Sequence, residues 1–193
     1  MGISPVAAAK AETRREVQRR LEAVSAEARA SKSAEIVRRI LELPQTGAAR
    51  TVFGYYPFGN EVDIRAVLRD VLHSGRRLCL PRVAGSELVF HEVGSLSAGY
   101  TVHPWGIREP SAQLPEVSPD DCSGPVLVVV PGVAFDARGT RLGRGRGYYD
   151  RFLLRAGREG WLRLGVAFRE QICASVPAEA HDVPVDMVLT DAE

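Results

Sequence analysis

Three arginines and three glycines crowd into "RLGRGRGYYD", Arg141 to Asp150. Such a run adds little to a folding core, because glycine costs conformational entropy and arginine is seldom buried unless paired. Its chemistry is that of an anion site. Gly143, Gly145 and Gly147 let backbone N–H groups approach an anion with no Cβ in the way. Arg141, Arg144 and Arg146 offer forked, charge-assisted hydrogen bonds to phosphate or carboxylate oxygens. Tyr148 and Tyr149 open a helix whose N-terminus favours anions. Asp150 is an acid that could face Mg²⁺, an ion that takes few protein carboxylates and several phosphate oxygens. Together these residues suggest a polyphosphate site. There is no GxxxxGK followed by Ser or Thr, and the glycine spacing is GxGxG rather than GxGxxG, so neither generic nucleotide motif applies. On residues alone, a solvated arginine-bearing turn competes with this reading.

A loop of this kind works only where a fold holds it. Val126 to Val130 are all apolar, as a central parallel strand would be, and this strand ends near Pro131. Ligands in open α/β sheets sit outside the carboxyl ends of strands, which is where the glycine-rich segment falls. Val17, Leu21, Val24 and Ala28 recur at helical spacing and predict one basic amphipathic helix over 6–30. Ile36, Val37, Ile40 and Leu41 predict a second over 33–43, stopped by Pro44. Residues 51–56 read as a strand of β-branched and aromatic residues. Asp63 is suited to cap a helix that turns Val67, Leu68 and Val71 inward and ends before Gly75. Further strands are expected over 78–83, 88–93 (suited to an edge), 162–168 and 187–190, with a helix over 148–156. Residues 94–124 carry many Gly, Pro and Ser and read as a long loop with short elements. Strands alternating with helices predict a single α/β domain over 1–193, three layers deep, with a central, largely parallel sheet flanked by helices.

The 193 residues suffice for a sizeable core, and 45% hydrophobic with 25% charged residues is ordinary for a soluble globular chain. A net charge of +1 gives no bulk attraction to nucleic acid or anionic membrane. The longest apolar run, Pro125 to Phe135, is far short of a membrane span, and Met1 to Lys10 has no signal-peptide core. Cytoplasmic location is therefore expected; a monomeric state and small-molecule partners are expectations beside it. Cys79, Cys122 and Cys173 are widely spaced and read as small hydrophobes rather than disulfide or zinc partners.

"PGVAFDARGTRLGRGRGYYDRFL", Pro131 to Leu153, strongly resembles the signature of the 5-formyltetrahydrofolate cyclo-ligase family, also called methenyltetrahydrofolate synthetase. The likeness extends along the chain in order: "KAETRREVQRRL" at 10–21, "EVDIRAVL" at 61–68, "LCLPRV" at 78–83, "WGIREP" at 105–110 and "GVAFREQICASVPAEAHDVPVDMVLT" at 165–190. The resemblance implies an ATP- and Mg²⁺-dependent ring closure of 5-formyltetrahydrofolate to 5,10-methenyltetrahydrofolate, with release of ADP and phosphate. A non-catalytic folate- or nucleotide-binding relative, or an ATP-dependent ligase with another acceptor, are the competing classes.

The resemblance also implies roles. ATP would be bound by Lys10, Arg14, Arg141, Gly143, Arg144, Gly145, Arg146, Gly147, Tyr148 and Tyr149. Read as residues alone, Lys10 and Arg14 are an i,i+4 pair on a solvated helix face. Arg144, Arg146 and Tyr148 would be the catalytic groups. The folate would meet Tyr56, Glu61, Trp105, Arg144, Gly145, Gly147 and Tyr148, with Glu61 accepting a bidentate pair from the pterin N–H groups. Trp105 suits either stacking on a flat ligand or plugging a core edge, and Glu109 reads as structural. Asp150 and Asp182 are the metal candidates, with Asp186 a weaker one. Gln171 is a support residue, and His181 is an exposed or satisfied histidine rather than a ligand. One departure is that Arg146 stands where the family usually has lysine, so a fork replaces a point charge.

Overall fold

A computed structural model describes residues 4–156 and 159–192. The chain opens with helices α1 (Pro5–Glu22), α2 (Ala26–Glu42) and α3 (Pro44–Ala48), then strand β1 (Thr51–Phe53), helix α4 (Arg65–His73), β2 (Arg77–Ala84) and β3 (Glu87–Glu92). Short strands β4 (Tyr100–Val102), β5 (Arg108–Pro110) and β6 (Glu116–Val117) follow. The second half carries β7 (Val126–Pro131), β8 (Ala134–Phe135), β9 (Arg141–Leu142), helix α5 (Tyr148–Arg155), β10 (Trp161–Val166) and β11 (Met187–Leu189).

Seven strands form one sheet in the order β11-β10-β7-β1-β2-β3-β6. The five strands from β11 to β2 are mutually parallel, while β3 and β6 add antiparallel at one side. The expected α/β architecture is thus present. β3 is not the edge, since the two-residue β6 covers it. Alternate residues of β7 serve opposite faces. Leu127 and Val129 join Val17, Leu21, Ile36, Ile40 and Leu68 in the core beneath α1, α2 and α4. Val126, Val128 and Val130 join Phe53, Phe90, Phe152 and Leu153 beneath α5. A sheet buried on both faces explains the continuous apolar run.

Three boundaries, among others, differ from the expectation. The helix expected over 6–30 is two helices, because the Ser25 hydroxyl accepts the Ala28 N–H at 3.1 Å and starts a new helix. The strand expected over 51–56 leaves the sheet after Phe53. Gly54 follows with Leu68 so close that an added Cβ would lie 2.7 Å from its Cδ2. Helix α4 starts one residue later than expected: Ile64 rather than Asp63 is the cap position, and Asp63 accepts the Arg65 N–H at 3.0 Å. Among the described residues no helix is long and apolar enough to cross a membrane.

The connections after β1 and β7 run to opposite sides. The first leads through α4 to β2, the second through the glycine-rich turn and α5 to β10. Chains diverging from neighbouring parallel strands leave a crevice at their carboxyl ends.

Candidate active site

That crevice is a cleft. It is walled by Tyr55, Tyr56 and Phe58 after β1, Pro81 and Val83 of β2, and Pro131 and Gly132 at the end of β7. The β4–β5 ribbon hangs over it with Trp105 and Ile107, and the glycine-rich loop closes the remaining side. Gly132 admits no side chain, since a Cβ there would lie 2.5 Å from the Phe135 ring. Gln171 clamps this turn from below. It is buried, donates through Nε2 to the carbonyls of Gly132 (2.7 Å) and Val133 (3.1 Å), and accepts the Phe168 N–H at 2.9 Å.

The glycine-rich loop depends on left-handed backbone at Gly145 (φ 94°) and Gly147 (φ 66°), and α5 begins immediately after. Its three arginines have different surroundings. Arg141 is internal, with a side chain 3% exposed. It pairs with Asp150 at 2.8 Å, lies over the Tyr149 ring, and passes so close under Gly143 that a Cβ there would sit 2.8 Å from its Nη1. Arg144 is exposed to the cleft and donates to Glu61 Oε1 at 3.0 Å. Arg146 lies over the indole of Trp105, 5.4 Å from the ring centroid. Tyr148 donates to the Gly85 carbonyl at 3.3 Å, and Arg151 ties the Ser86 and Arg146 carbonyls together. The loop is thereby fastened to the β2–β3 turn.

Glu61 is fixed from both oxygens, Oε1 by Arg144 and Oε2 by the Phe58 N–H at 3.0 Å. Burial pushes its carboxyl above the ordinary range, and Arg144 opposes that shift without cancelling it. It is therefore an acceptor that gains from hydrogen-bond donors supplied by a ligand.

Helix α1 reaches the same loop from outside. Arg14 Nε donates to the Gly143 carbonyl at 2.9 Å, and its guanidinium lies beside Gly145. Lys10 is buried and holds Glu179 at 2.7 Å and Asp182 at 2.5 Å. The i,i+4 pair is thus not a solvated face. Burial raises the Asp182 carboxyl, but hydrogen bonds from Lys10 and the Glu179 N–H outweigh it and hold it low. Asp150 lines the cleft and also accepts the Val183 N–H at 3.3 Å, so the segment bearing Asp182 abuts α5. Asp186 is engaged elsewhere, by Arg163 at 2.5 Å. His181 is exposed.

The model of the 5-formyltetrahydrofolate cyclo-ligase family matches residues 6–191. The chain belongs to that family. It is 29% identical to the 5-formyltetrahydrofolate cyclo-ligase of Mus musculus over 196 residues, covering 98% of this chain and 97% of that one. The enzyme of the same name from Mycolicibacterium smegmatis is 36% identical over 149 residues, covering 74% of each chain. The NMR structure of 5,10-methenyltetrahydrofolate synthetase from Aquifex aeolicus superposes with a TM-score of 0.79 at 35% identity, over 95% of this chain and 90% of that one.

Within this family member, the cleft includes residues the sequence reading did not assign. Phe58 lies under Arg144 at 5.6 Å, and Arg108 is packed against Tyr56 and Tyr100. Neither has a local signal, because each takes its meaning from partners in other segments. Glu109, read as structural, is buried and accepts the Val83 N–H at 3.1 Å, tying the ribbon to β2.

Proposed function

We propose that this protein joins the formyl carbon of 5-formyltetrahydrofolate to the folate's anilino nitrogen at the expense of ATP, giving 5,10-methenyltetrahydrofolate, ADP and phosphate. The observation that carries the reading is the Glu61–Arg144 pair at 3.0 Å. It joins a partly buried acceptor suited to a pterin edge to a glycine-arginine loop suited to phosphates, in one cleft. A formamide oxygen is a poor leaving group. Transfer of the γ-phosphoryl group onto it makes an imidate-like phosphate, and attack by the anilino nitrogen on the formyl carbon expels phosphate. Phosphoryl transfer needs positioning and neutralisation of oxygen charge more than covalent help.

The chain's own residues supply this. Glu61 orients the pterin, and Tyr56, Phe58 and Trp105 wall it off from water, which would otherwise hydrolyse the activated formyl group. Arg144, already at the boundary between the two halves, moves between Glu61 and the transferring oxygens. Arg146 and Tyr148 flank it, while Lys10, Arg14 and the amides from Gly143 to Tyr149 take the nucleotide, with Arg141 and Tyr149 bracing the loop from beneath. Asp150 and Asp182 suit Mg²⁺ that arrives with a phosphate ligand. Each is a hard carboxylate already matched by one cation, and among the described residues no group of three or more His, Cys, Asp or Glu side chains is placed to hold a metal ion by itself. Bound there, Mg²⁺ would neutralise phosphate charge. A monomer acting in the cytoplasm on small molecules belongs to the same proposal.

The test is near-ultraviolet absorbance of the protein mixed with 5-formyltetrahydrofolate, ATP and Mg²⁺, since the methenyl product absorbs there and the substrate does not. An ATP-dependent rise is expected. Arg144→Ala should slow it roughly a hundred- to a thousandfold, the scale seen when one donor to a developing charge is removed. A flat trace from folded protein that still binds ATP would contradict the proposal and indicate a binding relative.

A further inference from the structure

Arg108 is a cation held ready with no anion. Its guanidinium packs on two aromatic rings, 4.4 Å from the centroid of Tyr100 and 5.0 Å from that of Tyr56. Nη1 donates to the Tyr56 hydroxyl at 3.1 Å and Nη2 to the Ser97 carbonyl at 3.0 Å. Tyr100 is itself anchored, donating to the Ser95 carbonyl at 2.9 Å. A side chain with this much rotamer freedom is thus immobilised before any ligand arrives, so little ordering cost remains for binding. Among the described residues no carboxylate pairs with it. The adjacent Glu109 turns to the Val83 amide and lies near Arg82 instead. Arg108 nevertheless lines the cleft.

The cleft therefore offers two complementary groups. Glu61 is a partly buried acceptor that holds one donor on each oxygen and has lone pairs for more. Arg108 is a preorganised fork that needs an anion. Tyr56, Phe58 and Ile107 add aromatic and apolar walls to the same cleft. A reduced folate is an elongated molecule with an N–H-rich pterin at one end and carboxylates on its glutamyl group at the other. We propose that Arg108 is the specificity-determining residue for the glutamyl carboxylate, selecting glutamylated folates over the same ring system without the tail. The proposal rests on the folate reading above. The alternative anion for the same fork is a nucleotide phosphate.

The experiment compares 5-formyltetrahydrofolate with the carboxamide of 5-formyltetrahydropteroate, which lacks the glutamyl group and carries no carboxylate. The protein is tested as it stands and as Arg108→Gln and Arg108→Lys, with KM for both compounds and the Kd for ATP measured on each. In the unaltered protein the KM ratio, carboxamide over folate, should exceed about ten, the effect of one charge-assisted hydrogen bond lying between roughly ten- and a hundredfold. Arg108→Gln should collapse that ratio towards one, and Arg108→Lys should recover part of it. A structural role for Arg108 would raise both KM values together and leave the ratio intact, overturning the proposal. A change confined to the Kd for ATP would assign the fork to phosphate and overturn it as well. If no methenyl product forms from either compound, the folate ligase reading fails separately. Calorimetric binding of the two compounds then decides the matter: a preference that Arg108→Gln removes supports the assignment, and no preference overturns it.

Discussion

Glu61 accepts a bidentate pair of N–H donors only when ionised. Its carboxyl is raised by burial, so it takes up its proton at a higher pH than an ordinary glutamate as the solution is acidified. The ionised form should bind the pterin donors and the protonated form should not. Folate affinity is therefore expected to fall on acidification, beginning above the ordinary glutamate range. Removing the opposing cation with Arg144→Met should move that fall to still higher pH, while Glu61→Gln should flatten the profile at low affinity. Calorimetric titration of folate across the acid range reads all three, and a downward shift in Arg144→Met would contradict the assignment. At this scale the type and spacing of Arg144, Arg146 and the glycines suggest anion chemistry, with a solvated turn as the competing reading. Arg141 looked equivalent to its neighbours, yet it is buried and paired with Asp150. Residue type does not report which of three adjacent arginines the turn folds underneath.

Helix α1 is fastened to the segment following β10 by Lys10, whose ammonium sits between Glu179 and Asp182. Burial works against the lysine's charge, but hydrogen bonds to Asp182 and Glu179 outweigh it and hold its proton more tightly than usual. The depressed carboxyl of Asp182 makes this contact stabilising above the ordinary aspartate range, and the contribution is lost as pH falls through the depressed value. The raised lysine keeps its contribution until strongly alkaline pH. Lys10→Met should lower unfolding free energy by about 1–3 kcal/mol at neutral pH, since it strands two carboxylates, one of them half-exposed. Urea denaturation should show the deficit shrinking in acid, and Asp182→Asn in the Lys10→Met background should recover part of it. A deficit independent of pH would point to lost packing instead. The elements around this latch were partly legible. Helical periodicity located α1 and α2, but it runs through Ser25, where one hydroxyl ends the single-helix pattern. The β4–β5 ribbon was hidden in the expected loop because three-residue strands are too short to show alternation.

Across the whole molecule, the C-terminal segment is the piece that completes the cleft's support. Asp136 gathers the backbone N–H groups of Arg138, Thr140 and Val176, and Val185 donates to the Gly139 carbonyl at 2.9 Å. Gly139 itself has φ 79°, and a Cβ there would lie 2.2 Å from the Val185 carbonyl oxygen. Gly139→Ala should therefore cost about 1–3 kcal/mol or more, from left-handed backbone and a clash with main chain that cannot swing aside. Chemical denaturation would measure it, and a change below about 0.5 kcal/mol, the scale of ordinary surface substitutions, would show that the contact yields. Local pattern by itself determined the largely parallel sheet, the position of the glycine-rich loop at the end of its central strand, and the family likeness. These depend on periodicity, backbone freedom and residue order, all carried by neighbours in the chain. Only the tertiary structure decided that Lys10 meets Asp182 across 172 positions, that Arg144 meets Glu61 across 83, and that Arg108 is pinned between Tyr56 and Tyr100. Such partners are chosen by sheet order and layering, because a charge is satisfied by whatever the fold brings within a few ångströms and no local spacing encodes that.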